Sequence, residues 1–186
     1  MGEITHPRRC AAFGLVVVAA ATMAAGCGGS STSAATVSPE RWQTSVCSAI
    51  GQYQHAIMRD AHRLNGLTLE FEYGVPKSSD VRRKETAATA ALRDDTGTLR
   101  RQIEAAGVPR IDHGAELSAE FVAALRELEE RFDALHSEAL DIPTGQGRAP
   151  ADALLVPKML VAMDRVSRRM RAAHERYPEA NLIACS

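Results

Sequence analysis

Residues 117–139 read LSAEFVAALRELEERFDALHSEA, and their apolar spacing decides the fold. Leu117, Phe121, Leu125, Leu128, Phe132, Leu135 and Ala139 recur every three or four positions, which is the period of one face of an α-helix. Arg126–Glu130 and Glu127–Arg131 decorate the opposite side at i, i+4, where ion pairs support a solvated face.

Three more amphipathic segments flank this one. On the N-terminal side a helix is expected over Ser79–Ala106, with Val81, Ala88, Leu92, Leu99, Ile103 and Ala106 facing inward. Asp95–Thr96 interrupts its stripe. Thr96 is expected to turn in and bond back to a carbonyl, leaving Asp95 in solvent, because a buried unpaired carboxylate is costly. Gly107 and Pro109 end the helix. Upstream, Ser38 is an N-cap, Pro39 opens the first turn and Glu40 suits the helix dipole. The stripe there is Trp42, Val46, Ile50, Tyr53, Ile57, Ala61 and Leu64, with Asn65–Gly66 as its end.

The following residues, 67–75, alternate like a strand, while Leu64, Leu67 and Phe71 also fit a helix face. A lone strand would have no partner, so an ordered crossover on the bundle end is expected. Downstream, 141–150 (DIPTGQGRAP) reads as a loop. The last helix would turn Leu160, Met163, Val166, Met170, Ala173 and Tyr177 inward. Pro157 belongs to its first turn or marks a kink, and Pro178 leaves only a short final turn. The fold class expected is all-α: a single antiparallel four-helix bundle, up-down-up-down, over 38–186.

The N-terminus has another character. Arg8 and Arg9 precede a 16-residue apolar run, AAFGLVVVAAATMAAG, too short for a membrane span of about 20 residues and typical of a secretory signal. Ala24, Ala25 and Gly26 lead into Cys27, followed by GGSSTSAATV. The stretch resembles a bacterial lipobox, with Ala24 where a larger aliphatic is usual. The resemblance implies a signal peptide over 1–26, cleavage before a diacylglyceryl-modified Cys27, and a flexible tether over 27–37. Two acyl chains hold stably where one does not. The expected location is the extracytoplasmic face of the cell membrane, reached through that lipid anchor.

Removing 1–26 takes Arg8, Arg9 and Glu3 from the 22 basic and 23 acidic residues and leaves a net charge near −2. No basic excess favours nucleic acid, and no polybasic stretch favours lipid head groups. Aromatics make up 4% of the chain, which suits close helix packing better than a β-sandwich. Of four cysteines, Cys10 leaves with the signal and Cys27 goes to lipid. The two that remain, Cys47 and Cys185, are expected to form a disulfide in an oxidising compartment. An up-down-up-down bundle brings the end of its last helix beside the start of its first, which agrees with that pairing.

WQTSVC at 42–47, LRRQIEAAGVPRIDHGAE at 99–116 and the terminal ACS resemble a group of uncharacterised actinobacterial small secreted proteins and lipoproteins. Members share a Trp-x-x-x-Val-Cys start, an Ala-Gly-x-Pro break between helices and a Cys near the C-terminus. The resemblance implies a fold and a location but no chemistry.

Catalytic patterns are missing: there is no Gly-x-Ser-x-Gly elbow, no phosphate loop and no His-Glu-x-x-His. His55 and His62 lie two helical turns apart, roughly 10 Å, too far to share a metal. Asp133-x-x-His136 has the spacing of half a di-metal site without the remaining ligands. His113-Gly-Ala-Glu116 is similar to the His-x-x-Glu element of imelysin-like iron-uptake proteins, but it straddles a helix start, where both residues serve as caps. Met159, Met163 and Met170 fit core filler better than a copper or haem pocket. No metal or other cofactor is expected. The densest charge, Arg165, Arg168 and Arg169 with Arg171, is a solvated face opposite Glu127, Glu129 and Glu130 or an interaction face for an envelope protein. The expected function is therefore a non-catalytic binding or envelope-associated module. The competing expectation is a carrier holding a metal, haem or lipid between helices; a cavity bordered by Asp95, Met163 or Met170 would favour it.

Overall fold

Ser38 has the extended backbone of an N-cap, and its hydroxyl accepts the Arg41 N–H at 3.3 Å. The first helix therefore begins at Pro39, whose missing N–H costs nothing there. The computed structural model describes residues 35–180 apart from 75, 146, 151 and 152. In chain order these form β1 (Thr36–Val37), α1 (Pro39–Tyr73), α2 (Ser78–Ala106), β2 (Val108–Pro109), α3 (Gly114–Asp141), α4 (Val156–Arg176) and a 3-10 turn at Pro178–Ala180. The described chain is mostly helical, with one short parallel sheet in which Thr36 pairs with Val108 and Val37 with Pro109. The signal segment and Cys27 lie outside the described residues.

The α3 stripe is buried along its whole length, Leu117 to Ala139. The inward residues expected of α2 are buried as well. Three expectations change. First, α1 does not stop at Asn65–Gly66 but runs 35 residues to Tyr73, so 67–73 is helix and not a crossover. Gly66 has open space around it, and the chain beyond gains by staying helical. Leu67 packs in a cluster with Val81, Ile142, Ala149 and Ala153, and Phe71 lies against them, whereas Leu69 and Tyr73 are 44% and 81% exposed. Burial at a step of four wins over the alternating pattern and over glycine's weak helix propensity. The Ala61 and Leu64 side chains of the expected stripe lie outside the described residues.

Second, the tether ends sooner than expected, because Ala35–Val37 belong to the folded part. The Ala35 carbonyl accepts the Val108 N–H at 3.0 Å and the Val37 carbonyl accepts the Arg110 N–H at 2.9 Å. Gly107 makes this joint. Its φ of 82° lies in the left-handed region, and a Cβ there would stand 2.4 Å from the Ala35 oxygen. The Gly107 carbonyl in turn accepts the Trp42 indole N–H at 3.1 Å and the Ser118 hydroxyl at 3.3 Å, tying α1, α2 and α3 together. Third, Leu160 is 61% exposed, and Met159 takes the buried place at the start of α4.

One cluster gathers the start of α1 (Trp42, Val46), the end of α2 (Ile103, Ala106), the start of α3 (Leu117, Phe121) and Ala180. At the opposite end the α1–α2 turn meets the α3–α4 loop: Ala149 donates its N–H to Pro76 O and Ser78 donates to Gly147 O, both at 3.1 Å. Each long helix packs on the next, α1 on α2, α2 on α3 and α3 on α4, whereas α1 and α4 hardly approach each other among the described residues. None of the described helices is long and apolar enough to cross a membrane.

Candidate functional site

The gap between α1 and α4 is a groove of about 480 Å³. From α1 come Ile50, Tyr53, Gln54, Ile57 and Met58; from α4 come Met163, Ser167 and Met170; Leu99, Leu125 and Leu128 form the floor. Helical geometry explains why it is apolar yet open. Met159, Val166 and Ala173 form the buried face of α4. Met163, Ser167 and Met170 lie to one side of that face and line the groove, Met163 and Met170 only partly buried against the core. The inward stripe read from the sequence mixed the two faces. At the rim Met58 is 60% exposed.

Polar groups meet at Tyr53, on the α1 wall of the groove. Thr96 turns inward and donates to Leu92 O at 2.7 Å, as its mid-helix position requires, so the Tyr53 hydroxyl donates to Thr96 Oγ1 at 3.0 Å. Burial, first, raises the Tyr53 phenol to about 12, with the charge of Asp95 acting the same way and the Thr96 hydrogen bond opposing. Asp95 is not the solvated residue expected. It is half-buried beside Asp60 of α1, which is almost fully buried, and Arg59 lies 3.3 Å from Asp95 Oδ2 and 3.7 Å from Asp60 Oδ1. The Asp95 carboxyl is held above the usual carboxylate range by desolvation and then by the charge of Asp60, against the pull of Arg59.

A second acid was missed altogether. Glu85 is fully buried on α2, and its Oε1 accepts the Leu155 N–H at 3.0 Å at the threshold of α4. Its Oε2 has no partner among the described residues, and burial raises the carboxyl to about 7, with the Leu155 hydrogen bond opposing. The signal was present: Val81, Glu85, Ala88 and Leu92 follow helical spacing, so Glu85 stands on the apolar stripe. Asp60 likewise falls three residues after Ile57 on the inward side of α1.

Of the residues singled out from the sequence, the arginine cluster is dispersed. Arg169 pairs with Glu127 at 3.0 Å, Arg168 pairs with Asp164 one turn back on its own helix, and Arg165 is exposed with no ion pair among the described residues. Glu129 faces away and bonds Arg100 at 2.8 Å. His113 occupies the cap position of α3 with φ 58°, but its ring pairs with Glu116 at 2.7 Å and makes no side-chain cap bond, so the capping expected of the two does not occur. Asp133 bonds Arg93, and His136 turns Nδ1 to the Thr86 carbonyl and the Thr89 hydroxyl. Among the described residues no three His, Cys, Asp or Glu side chains gather closely enough to hold a metal. Cys47 is half-buried and engaged, not a free thiol; Cys185 lies outside the described residues.

Fold and site together define a mostly helical protein with an apolar groove between α1 and α4 among the described residues. No protein-family model matches the chain, and no curated protein or solved structure is similar to it.

Proposed function

We propose that this chain is a lipid-anchored, extracytoplasmic binding protein that carries a small apolar ligand in the α1–α4 groove, without catalysis. The observation that carries the reading is the groove itself, bordered by Met163 and Met170 and within the roughly 300–1,000 Å³ range of small-ligand sites. Methionines adapt to ligands of varied shape. Among the ligands a carrier of this size could hold, lipid fits best, because the lining offers neither a metal-ligand set nor a charged side chain. The location rests on the lipobox-like run ending at Cys27, and the groove would then work at a membrane surface, where apolar ligands are found.

The architecture is read as an up-down-up-down bundle with one seam left open. The clustering of alternate helix ends supports this. The Cys47–Cys185 pairing closes one end of that seam. Supporting it, Cys47 lies three and seven residues before the groove-lining Ile50 and Gln54 on the same edge of α1, and Ala180 already packs in the cluster that holds Val46 and Ala49. The second reading, an envelope-protein interaction module, draws on the exposed Met58, Leu160 and Val161.

Two experiments test the proposal. Cys27→Ala should abolish metabolic lipid labelling and release the protein from the membrane; persistent labelling would refute the anchor. Organic extraction of the natively purified protein should yield an apolar molecule near one per chain, lost in Ser167→Trp, which fills the groove from an exposed position. A groove empty in both forms would favour the interaction module.

A further inference from the structure

The groove is uniform in neither chemistry nor charge. At one level Tyr53 and Met170 pack against the cluster around Trp42; at the other Ile57 and Met163 pack against the cluster around Phe132. The second level is apolar and continues outward to the exposed Met58. Between the levels Gln54 and Ser167 bring side-chain donors to the two walls.

Charge is distributed unequally along α4. Lys158, Arg168, Arg169 and Arg176 of α4 are each paired with an acid: Glu138, Asp164, Glu127 and Glu120. Arg165 and Arg171 have no ion pair among the described residues, and both are exposed. Arg165 borders a different depression, between α3 and α4, together with Glu127 and Glu138. Arg171 is not in the groove lining but stands one turn beyond Ser167 on α4, with its Cα–Cβ bond tilted back toward that turn. The groove thus has an apolar run and a middle band of neutral donors, with one unneutralised cation a turn beyond it on α4.

Resting on the groove reading, we infer that the occupant is a free long-chain fatty acid, its chain laid along Ile57, Met58 and Met163 and its carboxylate held by Arg171 with Gln54 and Ser167. Size supports a single chain. About 480 Å³ lies at the lower part of the roughly 300–1,000 Å³ range of small-ligand sites, in keeping with one chain. A single guanidinium matches a single carboxylate in a bidentate pair.

Membranes containing the full-length protein would be irradiated with two photoactivatable probes of equal chain length, palmitate and its neutral alcohol hexadecanol, and the labelled peptides mapped. Both should mark peptides holding Met58 and Met163, palmitate several-fold more strongly. Ser167→Trp should reduce both at least tenfold. Arg171→Gln, a surface change that leaves the fold intact, should reduce palmitate labelling about fivefold and leave hexadecanol unchanged. If Arg171→Gln lowers neither or lowers both alike, the anionic head group is wrong while the groove stands. If Ser167→Trp affects neither probe, or if the groove peptides cross-link to another polypeptide instead, the groove reading itself falls.

Discussion

The α2–α3 seam and the α1–α4 seam are both lined with apolar residues but are closed to different degrees. Across α2–α3, Leu92, Leu128 and Phe132 interlock, and charges close the edges: Arg100 bonds Glu129 at 2.8 Å and Arg93 bonds Asp133 at 3.2 Å. Across α1–α4 the facing residues are Ile57, Met58, Met163, Ser167 and Met170, and no ion pair among the described residues bridges the two helices. A seam closed by branched and aromatic side chains specifies one packing, whereas one lined with methionine and left without ion pairs can admit a guest. Under the proposed function, stability belongs to the first seam and binding to the second.

The sharpest way to break that comparison is truncation on each side of it. Phe132→Ala should cost about 3–5 kcal/mol in denaturant unfolding, as expected for a fully buried aromatic. Met163→Ala, at a site already half-open, should cost less than about 1.5 kcal/mol. Equal losses would mean that the groove is core. Next in size is the tie proposed for the open seam. Cys47→Ala should lower stability by about 2–4 kcal/mol without loss of helical content, and alkylation of the exported protein should find no free thiol at Cys47 or Cys185.

Glu85 sharpens the comparison through pH, since it holds the first turn of α4 against α2. Burial raises its carboxyl from 4.5 to about 7 in the folded state, so the fold favours the protonated side chain. Its contribution is complete below about pH 4.5 and is lost as pH rises through about 7, a change on the order of 2–3 kcal/mol. Glu85→Gln keeps an acceptor for the Leu155 N–H and should flatten that slope in urea titrations between pH 4 and 8. An unchanged slope would place the titration elsewhere, with Asp95 the next group to test. The smallest effect belongs to the outer face of α4, where replacing Arg165, Arg168 and Arg169 with Gln should shift stability by no more than about 0.5 kcal/mol.

Much of the closed seam was legible in the sequence because local patterns dictate it. The α3 stripe, the Ser38–Pro39 start and the Thr96 back-bond all follow from spacing and side-chain chemistry within one segment. What failed depends on distant partners. Gly66 reads as a helix end, but Leu67 and Phe71 find cover from the α3–α4 loop and carry α1 past it. Glu85 reads as a surface acid among Arg82, Arg83 and Lys84 until the start of α4 covers it. β1 is two residues long and invisible without β2. The open seam was hardest, because periodicity identifies an apolar face without saying whether another helix covers it. Leu160 and Met159 show this, since adjacent residues lie on different sides of that boundary.

The most direct test of an open, ligand-binding α1–α4 seam is methionine-methyl NMR of the protein titrated with a long-chain fatty acid. Met58, Met163 and Met170 line the groove, whereas Met159 is buried in the neighbouring cluster and serves as the internal reference. An open binding seam predicts saturable shifts of the three groove methyls at one ligand per chain, with Met159 nearly still. Uniform movement of all four, or none at any concentration below micelle formation, would contradict it.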